Sequence, residues 1–286
     1  MIRFNWIKVW SFDTRSTESD LMTAIDFTAF VDELATISGE TIRPFFRSAI
    51  GVESLGVENK SRSGGFDPVT AADRAAEVAM RTLIKRTFPE HGVVGEEFEA
   101  DRPDAEYVWV LDPIDGTKSF ISGMPVWGTL IALTRRGEPI YGMMHQPFTR
   151  EHFSGDGRGA RYRGPAGDRD LRVRPCTSLR DAVLCTTSPL LMNEADRACF
   201  TRVEKDVRLS RYGGDCYAYC VLAAGHVDLV IETELKPYDV LALIPIIEGA
   251  GGVITTWENG PAHKGGRIVA AGDKQVHAEA LALLNG

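Results

Sequence analysis

The chain has 286 residues, 44% of them hydrophobic and 25% charged, with a formal net charge of −8. This is an ordinary globular composition, long enough for one large domain or two subdomains that share an interface. The acidic balance argues against a binder of DNA backbone, which needs a basic surface, and no stretch approaches the ~20 apolar residues of a membrane span.

The first twenty residues mix aromatics with charges and hydroxyls and lack the continuous apolar run of a signal peptide. Residues 1–21 are read as a disordered tail, with Met22 as an alternative start. From Thr23 to about Ala49, Ile25, Phe30, Val31, Leu34 and Ile37 fall at helical spacing and predict a long amphipathic helix. SRSGGFDP (61–68) reads as a flexible loop in which Pro68 biases Asp67 towards an extended conformation. VTAADRAAEVAMRTLIKRTF predicts a second helix, closed by Pro89.

HGVVGEEFE and YVWVLDPIDGT then read as two strands that run into acids. VWGTLIALTRRGEPIYGMMHQP predicts a hairpin with its turn at RRGEP, and short strands with glycine turns follow. Beyond about residue 175 the pattern alternates: strand DAVLCTTSP, helix NEADRACFTRVEKDV, helix DCYAYCVLAAGHV, strand DLVIETE, one helix DVLALIPIIEGAGG, strands VITTW and GRIVAAG, and a last helix KQVHAEALALLNG. The expected organisation is an α+β subdomain over 22–175 and an α/β subdomain over 176–286, with the active site at their interface.

The five cysteines, Cys176, Cys185, Cys199, Cys216 and Cys220, include no CxxC pair and are odd in number. They fit a reduced, cytoplasmic compartment and read as small buried hydrophobes. Cys216 and Cys220 stand four apart on an expected helix, but no second pair completes a metal site.

The chemistry concentrates in WVLDPIDGTKSF (109–120). Asp112 ends an apolar strand, Pro113 removes a backbone donor and stops the ladder, and Asp115 follows within one turn. Two carboxylates so close repel unless a proton or a cation lies between them, and Mg²⁺ prefers carboxylate oxygens and water. Gly116 and Thr117 open a short helix whose first N–H groups suit an anion. Glu96 and Glu97 stand at another strand end, and Asp239 stands at the start of a helix. Taken singly, Asp115-Gly116 reads equally as a turn, Glu96 and Glu97 as solvated acids, and Asp239 as an N-cap.

GEE (95–97), DPIDGTKSF (112–120) and YDVLALIPIIEGAGG (238–252) together resemble the signature segments of the inositol monophosphatase family, over residues 22 to the end. Within it the chain is most similar to the histidinol-phosphate phosphatases, through FDPVTAADRAAE, FISGMPVWGTLIAL, YGGDCYAYCVLAAGHVDLVIE and LKPYDV. The resemblance implies a layered αβαβα fold and a lithium-sensitive, Mg²⁺-dependent phosphomonoesterase with two to three ions per subunit. It also implies a homodimer and a place in histidine biosynthesis. Glu96, Asp112 and the Ile114 carbonyl would bind one ion, Asp112, Asp115 and Asp239 a second, and a third would lean on Glu96. Asp67 and Thr117 would orient the attacking water, while Gly116 and Thr117 hold phosphate. Glu232 falls where the family contacts substrate, and Asp215 replaces a small apolar residue of the inositol enzymes.

Two cations about 3.5–4 Å apart clamp the attacking and leaving oxygens of such a reaction. An extra carboxylate at Asp215 favours the ammonium of histidinol phosphate over a neutral polyol, although Asp215 also suits a helix cap. Inositol phosphate, fructose bisphosphate and adenosine bisphosphate are the rival substrates. The aspartyl-nucleophile phosphatases place their two acids closer in sequence than Asp112 and Asp115. Lys60 and Lys118 are candidates to approach phosphate or plain surface lysines. A non-enzymatic binding protein on the same fold would lack a ligand acid, and none is missing.

Overall fold

The computed structural model describes residues 18–48, 56–60 and 68–286. Residues 1–17 of the expected tail, the loop 61–67 and, with it, Asp67 lie outside the described residues. Helix α1 (Glu18–Ile42) starts inside the segment read as tail and stops well short of Ala49. Pro44 explains the early stop, because it offers no N–H and its ring clashes with the preceding turn. Strands β1 (Glu58–Asn59) and β2 (Pro68–Val69) form a two-residue antiparallel ribbon. Helix α2 (Ala71–Thr87) begins with a capping box in which Thr70 and Asp73 satisfy each other's N–H groups.

The first sheet runs in chain order through β3 (Gly92–Gly95), β4 (Tyr107–Asp115), β5 (Gly128–Arg135), β6 (Glu138–Gln146), β7 (Glu151–Gly155), β8 (Ala160–Arg163) and β9 (Arg169–Asp170). Only β3 and β4 are parallel; the rest alternate. The expected hairpin is β5–β6. Its two turn residues, Arg136 and Gly137, both have positive φ, at 55° and 85°. That turn matches the natural twist of the strands. Helix α3 (Thr117–Ile121) leaves the end of β4.

The second half supplies β10 (Val183–Thr186), α4 (Glu194–Glu204), β11 (Leu209–Tyr212), α5 (Asp215–Ala223), β12 (Leu229–Leu235), α6 (Pro237–Val240), α7 (Leu243–Gly249), β13 (Val253–Thr256), β14 (Gly266–Ala271) and α8 (Lys274–Asn285). Its five-stranded sheet has the order β11-β10-β12-β14-β13, with β10 parallel to β11 and β12, and β14 antiparallel to β12 and β13. The single helix expected across 239–252 is two. Pro245 tolerates only a helix's first turn, so the helix restarts at Leu243.

The layers follow from which faces are apolar. Phe30 and Leu34 of α1 and Met80 and Ile84 of α2 pack on Trp109, Leu111 and Ile131. Leu222 of α5 and Ile246 and Ile247 of α7 lie between the sheets, against Val110, Leu130, Val230 and Ile268. Phe200 of α4 and Val276 of α8 cover Leu184, Ile231 and Trp257 on the far side. The result is an αβαβα sandwich. Successive residues of β4 face opposite cores, which is why YVWVL is apolar throughout rather than alternating. No helix among the described residues is long and apolar enough to cross a membrane.

Candidate active site

The end of β4 departs from the expectation. The strand does not stop at Asp112; it continues to Asp115, with a register shift between the two. Asp112 pairs with Leu130 and Asp115 with Gly128, so β4 uses one residue more than β5 over this step. That is a β-bulge, and Pro113 is tolerated there because the ladder is already interrupted. Residues three apart on a regular strand face opposite sides. The bulge cancels this and turns both carboxylates towards the space between the sheets.

Asp239, in the first turn of α6, completes the group: ligand-competent oxygens of Asp112, Asp115 and Asp239 lie within 4.8 Å of one another. Each carboxylate is aimed by one backbone N–H. Ile114 donates to Asp112 Oδ1 at 3.0 Å, Cys216 to Asp115 Oδ2 at 2.7 Å, and Lys236 to Asp239 Oδ2 at 2.6 Å. Asp239 is therefore not the N-cap but a residue inside the first turn that satisfies the N–H before the helix. Each pinned carboxylate keeps a second oxygen for ligation. Burial first, then the charges of Glu96, Asp115 and Asp239, hold the Asp112 carboxyl well above the ordinary range. Burial, then Asp239 and Asp215, do the same to Asp115, and burial pushes Asp239 up to about 7. Among the described residues no Lys, Arg or His forms an ion pair with these three acids. Hard oxygen donors, convergent and short of positive charge, fit Mg²⁺.

After the bulge, Gly116 takes φ +83° and opens α3. A Cβ at Gly116 would stand 3.0 Å from Cβ and Cγ of Asp215, so glycine allows both the left-handed turn and the close approach. The Thr117 hydroxyl donates to the Ile114 carbonyl at 3.1 Å, which joins two of the expected site residues directly. Lys118 is exposed, as its surface reading had it.

Glu96 follows β3, and its N–H extends the ladder to Leu111. It stands outside the three-carboxylate group, although its charge raises both Asp112 and Asp239. Lys60 Nζ lies 2.7 Å from Glu96 Oε1 and 2.8 Å from Glu97 Oε1, with only 2% of the Glu97 side chain exposed. The solvated-acid reading of Glu96 and Glu97 and the plain-surface reading of Lys60 are thus corrected. The Glu97 N–H donates to Glu77 Oε2, and Glu77 Oε1 accepts from Arg81. The fully buried Glu77 passes so close under Gly95 that any side chain there would collide with it.

Asp215 opens α5 at φ +42°. Its carboxylate caps nothing and instead accepts from Ser119 Oγ of α3 at 2.5 Å. Glu232, on β12, is buried and accepts from Thr187 N at 2.6 Å, Thr187 Oγ1 at 2.9 Å and Thr186 Oγ1 at 3.3 Å. Burial drives Glu232 up to about 7, and the charge of Asp215 adds to the rise. The acids from Glu96 through Asp112, Asp239, Asp115 and Asp215 to Glu232 therefore share one negative field.

Ser119, Thr186, Thr187 and Tyr219 were not singled out in the sequence. Tyr219 has a buried hydroxyl without a partner, in the field of Glu232, Asp115 and Asp239. The one sequence signal was the hydroxyl pair Thr186-Thr187 at a strand end.

Residues 24–285 match the model of the inositol monophosphatase family. The bifunctional phosphatase IMPL2 of Arabidopsis thaliana, described as chloroplastic, is 45% identical over 267 residues, 89% of this chain and 74% of its own. A histidinol-phosphatase of Mycobacterium tuberculosis is 34% identical over 275 residues, 94% of this chain and 99% of its own. The structure of an inositol monophosphatase from Zymomonas mobilis superposes with a TM-score of 0.80 at 39% identity, over 95% of this chain and 100% of that one.

Proposed function

The chain belongs to the inositol monophosphatase family of phosphoric monoester hydrolases, and we propose that its substrate is L-histidinol phosphate, cleaved to L-histidinol and phosphate. One observation carries this reading. Asp215 and Glu232 flank the three-carboxylate group, and among the described residues neither has an ion-pair partner. A neutral polyol would leave Asp215 with only the more distant charge of Lys118 and Glu232 with none, whereas the ammonium and imidazole of histidinol would pair with them. The histidinol-phosphatase relative supports the same reading.

The residues divide the work. Asp112, Asp115 and Asp239 hold Mg²⁺, with Glu96 and the Ile114 carbonyl as further ligands for a total of two to three ions. Bound Mg²⁺ supplies Lewis acidity towards the phosphate and lowers the pKa of water. Thr117, whose proton is already donated to Ile114, is left to accept from the attacking water, with Asp67 as the base that takes its proton. The backbone N–H groups of Gly116 and Thr117 steady the phosphate oxygens. Water adds to phosphorus, the ester P–O bond breaks, and the departing alkoxide takes a proton from solvent while Asp67 gives its own back to solvent, leaving histidinol and phosphate. We take the acting species to be a cytoplasmic homodimer in histidine biosynthesis, with subdomains 22–175 and 176–286 meeting at the site.

The second reading is a polyol or nucleotide phosphate, favoured by the bifunctional name of the Arabidopsis relative. The deciding measurement is kcat/KM with Mg²⁺ for histidinol phosphate, inositol 1-phosphate, fructose 1,6-bisphosphate and adenosine 3',5'-bisphosphate. Asp215→Ala should lower the histidinol phosphate value about 10–100-fold, the scale of one charged hydrogen bond, and barely change inositol 1-phosphate. A wild-type preference for a polyol would overturn the proposal.

A further inference from the structure

We propose that Lys60 is a tethered cation that competes with a metal ion for Glu96, and that Glu97 holds it close by when it gives way. The proposal rests on the reading of Glu96 as a ligand. Lys60 Nζ takes the same carboxylate that would serve the ion, at 2.7 Å from Glu96 Oε1. An ammonium and a divalent cation on one carboxylate repel each other, more strongly in a partly buried setting than in water. Binding at Glu96 therefore has to displace Lys60 or weaken its contact.

Where Lys60 goes is built into the next residue. Glu97 Oε1 is already 2.8 Å from Nζ, so losing Glu96 need not leave the ammonium unpaired. Glu97 itself is anchored, because its N–H donates to Glu77 Oε2 while Glu77 is fixed by Arg81. Lys60 follows the short β1 ribbon, a segment separate from the strands that carry the acids. Its approach is thus independent of the geometry of Asp112, Asp115 and Asp239, and it bears on the Glu96 position alone. The device lowers affinity for that one ion and keeps Glu96 and Glu97 neutralised meanwhile.

Calorimetric titration of the full chain with Mg²⁺, without substrate, tests this. Lys60→Met should bind the Glu96-dependent ion about tenfold more tightly and, in chelator, melt at a lower temperature than wild type. Lys60→Arg, which keeps a competing cation, should stay near wild type. Lys118→Met removes the same charge from an exposed position and should change little. The tightening should vanish when Lys60→Met is combined with Glu96→Gln. Unchanged or weaker binding in Lys60→Met overturns the proposal, as does a tightening that survives Glu96→Gln. If wild type itself binds no Mg²⁺, the metal reading of the site falls and takes this proposal with it. The choice among substrates is untouched by any of these outcomes.

Discussion

Two groups of buried and half-buried acids lie close together and are treated in opposite ways. Glu77, with Glu97 beside it, is neutralised by the chain's own cations: Arg81 holds Glu77, and Lys60 holds Glu97. Asp112, Asp115 and Asp239 converge within 4.8 Å with no such partner among the described residues. A buried charge without a partner costs several kcal/mol, so a fold that completes one group and leaves the other bare has left room for a cation from outside. The difference separates acids that hold the structure from acids that do chemistry. Sequence alone does not draw this line, since all five stand near apolar runs.

The sharpest break of that comparison is to remove one acid from each side. Asp112→Asn should cut kcat roughly a thousandfold, the scale of a lost preorganised electrostatic group. Because it also removes repulsion, its melting temperature in chelator should not fall. Near-wild-type turnover with Mg²⁺ would erase the distinction. On the other side, Arg81→Met should leave catalytic geometry alone but strand Glu77 at a cost of about 3–5 kcal/mol in denaturant unfolding. Unchanged stability there would mean Glu77 needs no internal cation.

A smaller effect joins the two halves of the site. Gly116→Ala should cost about 1–3 kcal/mol, since its φ of +83° strains any side chain. Combining it with Asp215→Ala should recover the part due to Cγ and Oδ2 at 3.0 and 3.1 Å, the Cβ contact staying in place; strict additivity would show that those two contacts carry no energy.

The smallest effect is in pH. Burial and mutual repulsion raise Asp112, Asp115 and Asp239, so the folded chain holds these protons more tightly than the unfolded chain does. The stability they contribute is full below the ordinary carboxylate range. It is lost as pH climbs through the raised values, which for Asp239 is about 7. Mg²⁺ replaces the protons, so its stabilising shift in melting temperature should grow from about pH 5 to about pH 8. A shift that is flat with pH would argue against ion binding at these carboxylates.

Much of the fold was legible because apolar period and punctuation agree. The hairpin, the buried run of β4 and the alternating second half all follow from side-chain pattern. What escaped was local backbone irregularity and long-range pairing. Pro113 read as a strand end because a missing N–H usually means one, yet a bulge tolerates it. Pro245 signalled a helix restart that the apolar run around it masked. DPIDGT announced two ligand acids, and the family resemblance supplied Asp239. Lys60 stood out only as a candidate for phosphate, and its pairing with Glu96 and Glu97 gave no signal, because they lie 36 and 37 residues away and surface lysines are common.

The bulge in β4 makes the distance between Asp112 and Asp115 behave like a reading frame. A pair of acids two residues apart would share a face on an ordinary strand, and a pair three apart shares it only with one extra residue looped out. Exchanging Pro113 or Ile114 for other residues leaves that frame intact. Inserting a further residue shifts it, sending every residue beyond to the opposite face and carrying Gly116 and α3 away from Asp215, whereas deleting one closes the bulge into an ordinary strand that keeps the shared face. Drift at this strand end should therefore proceed by substitution or by loss of the looped-out residue, with insertions removed by selection even where each individual side chain is replaceable.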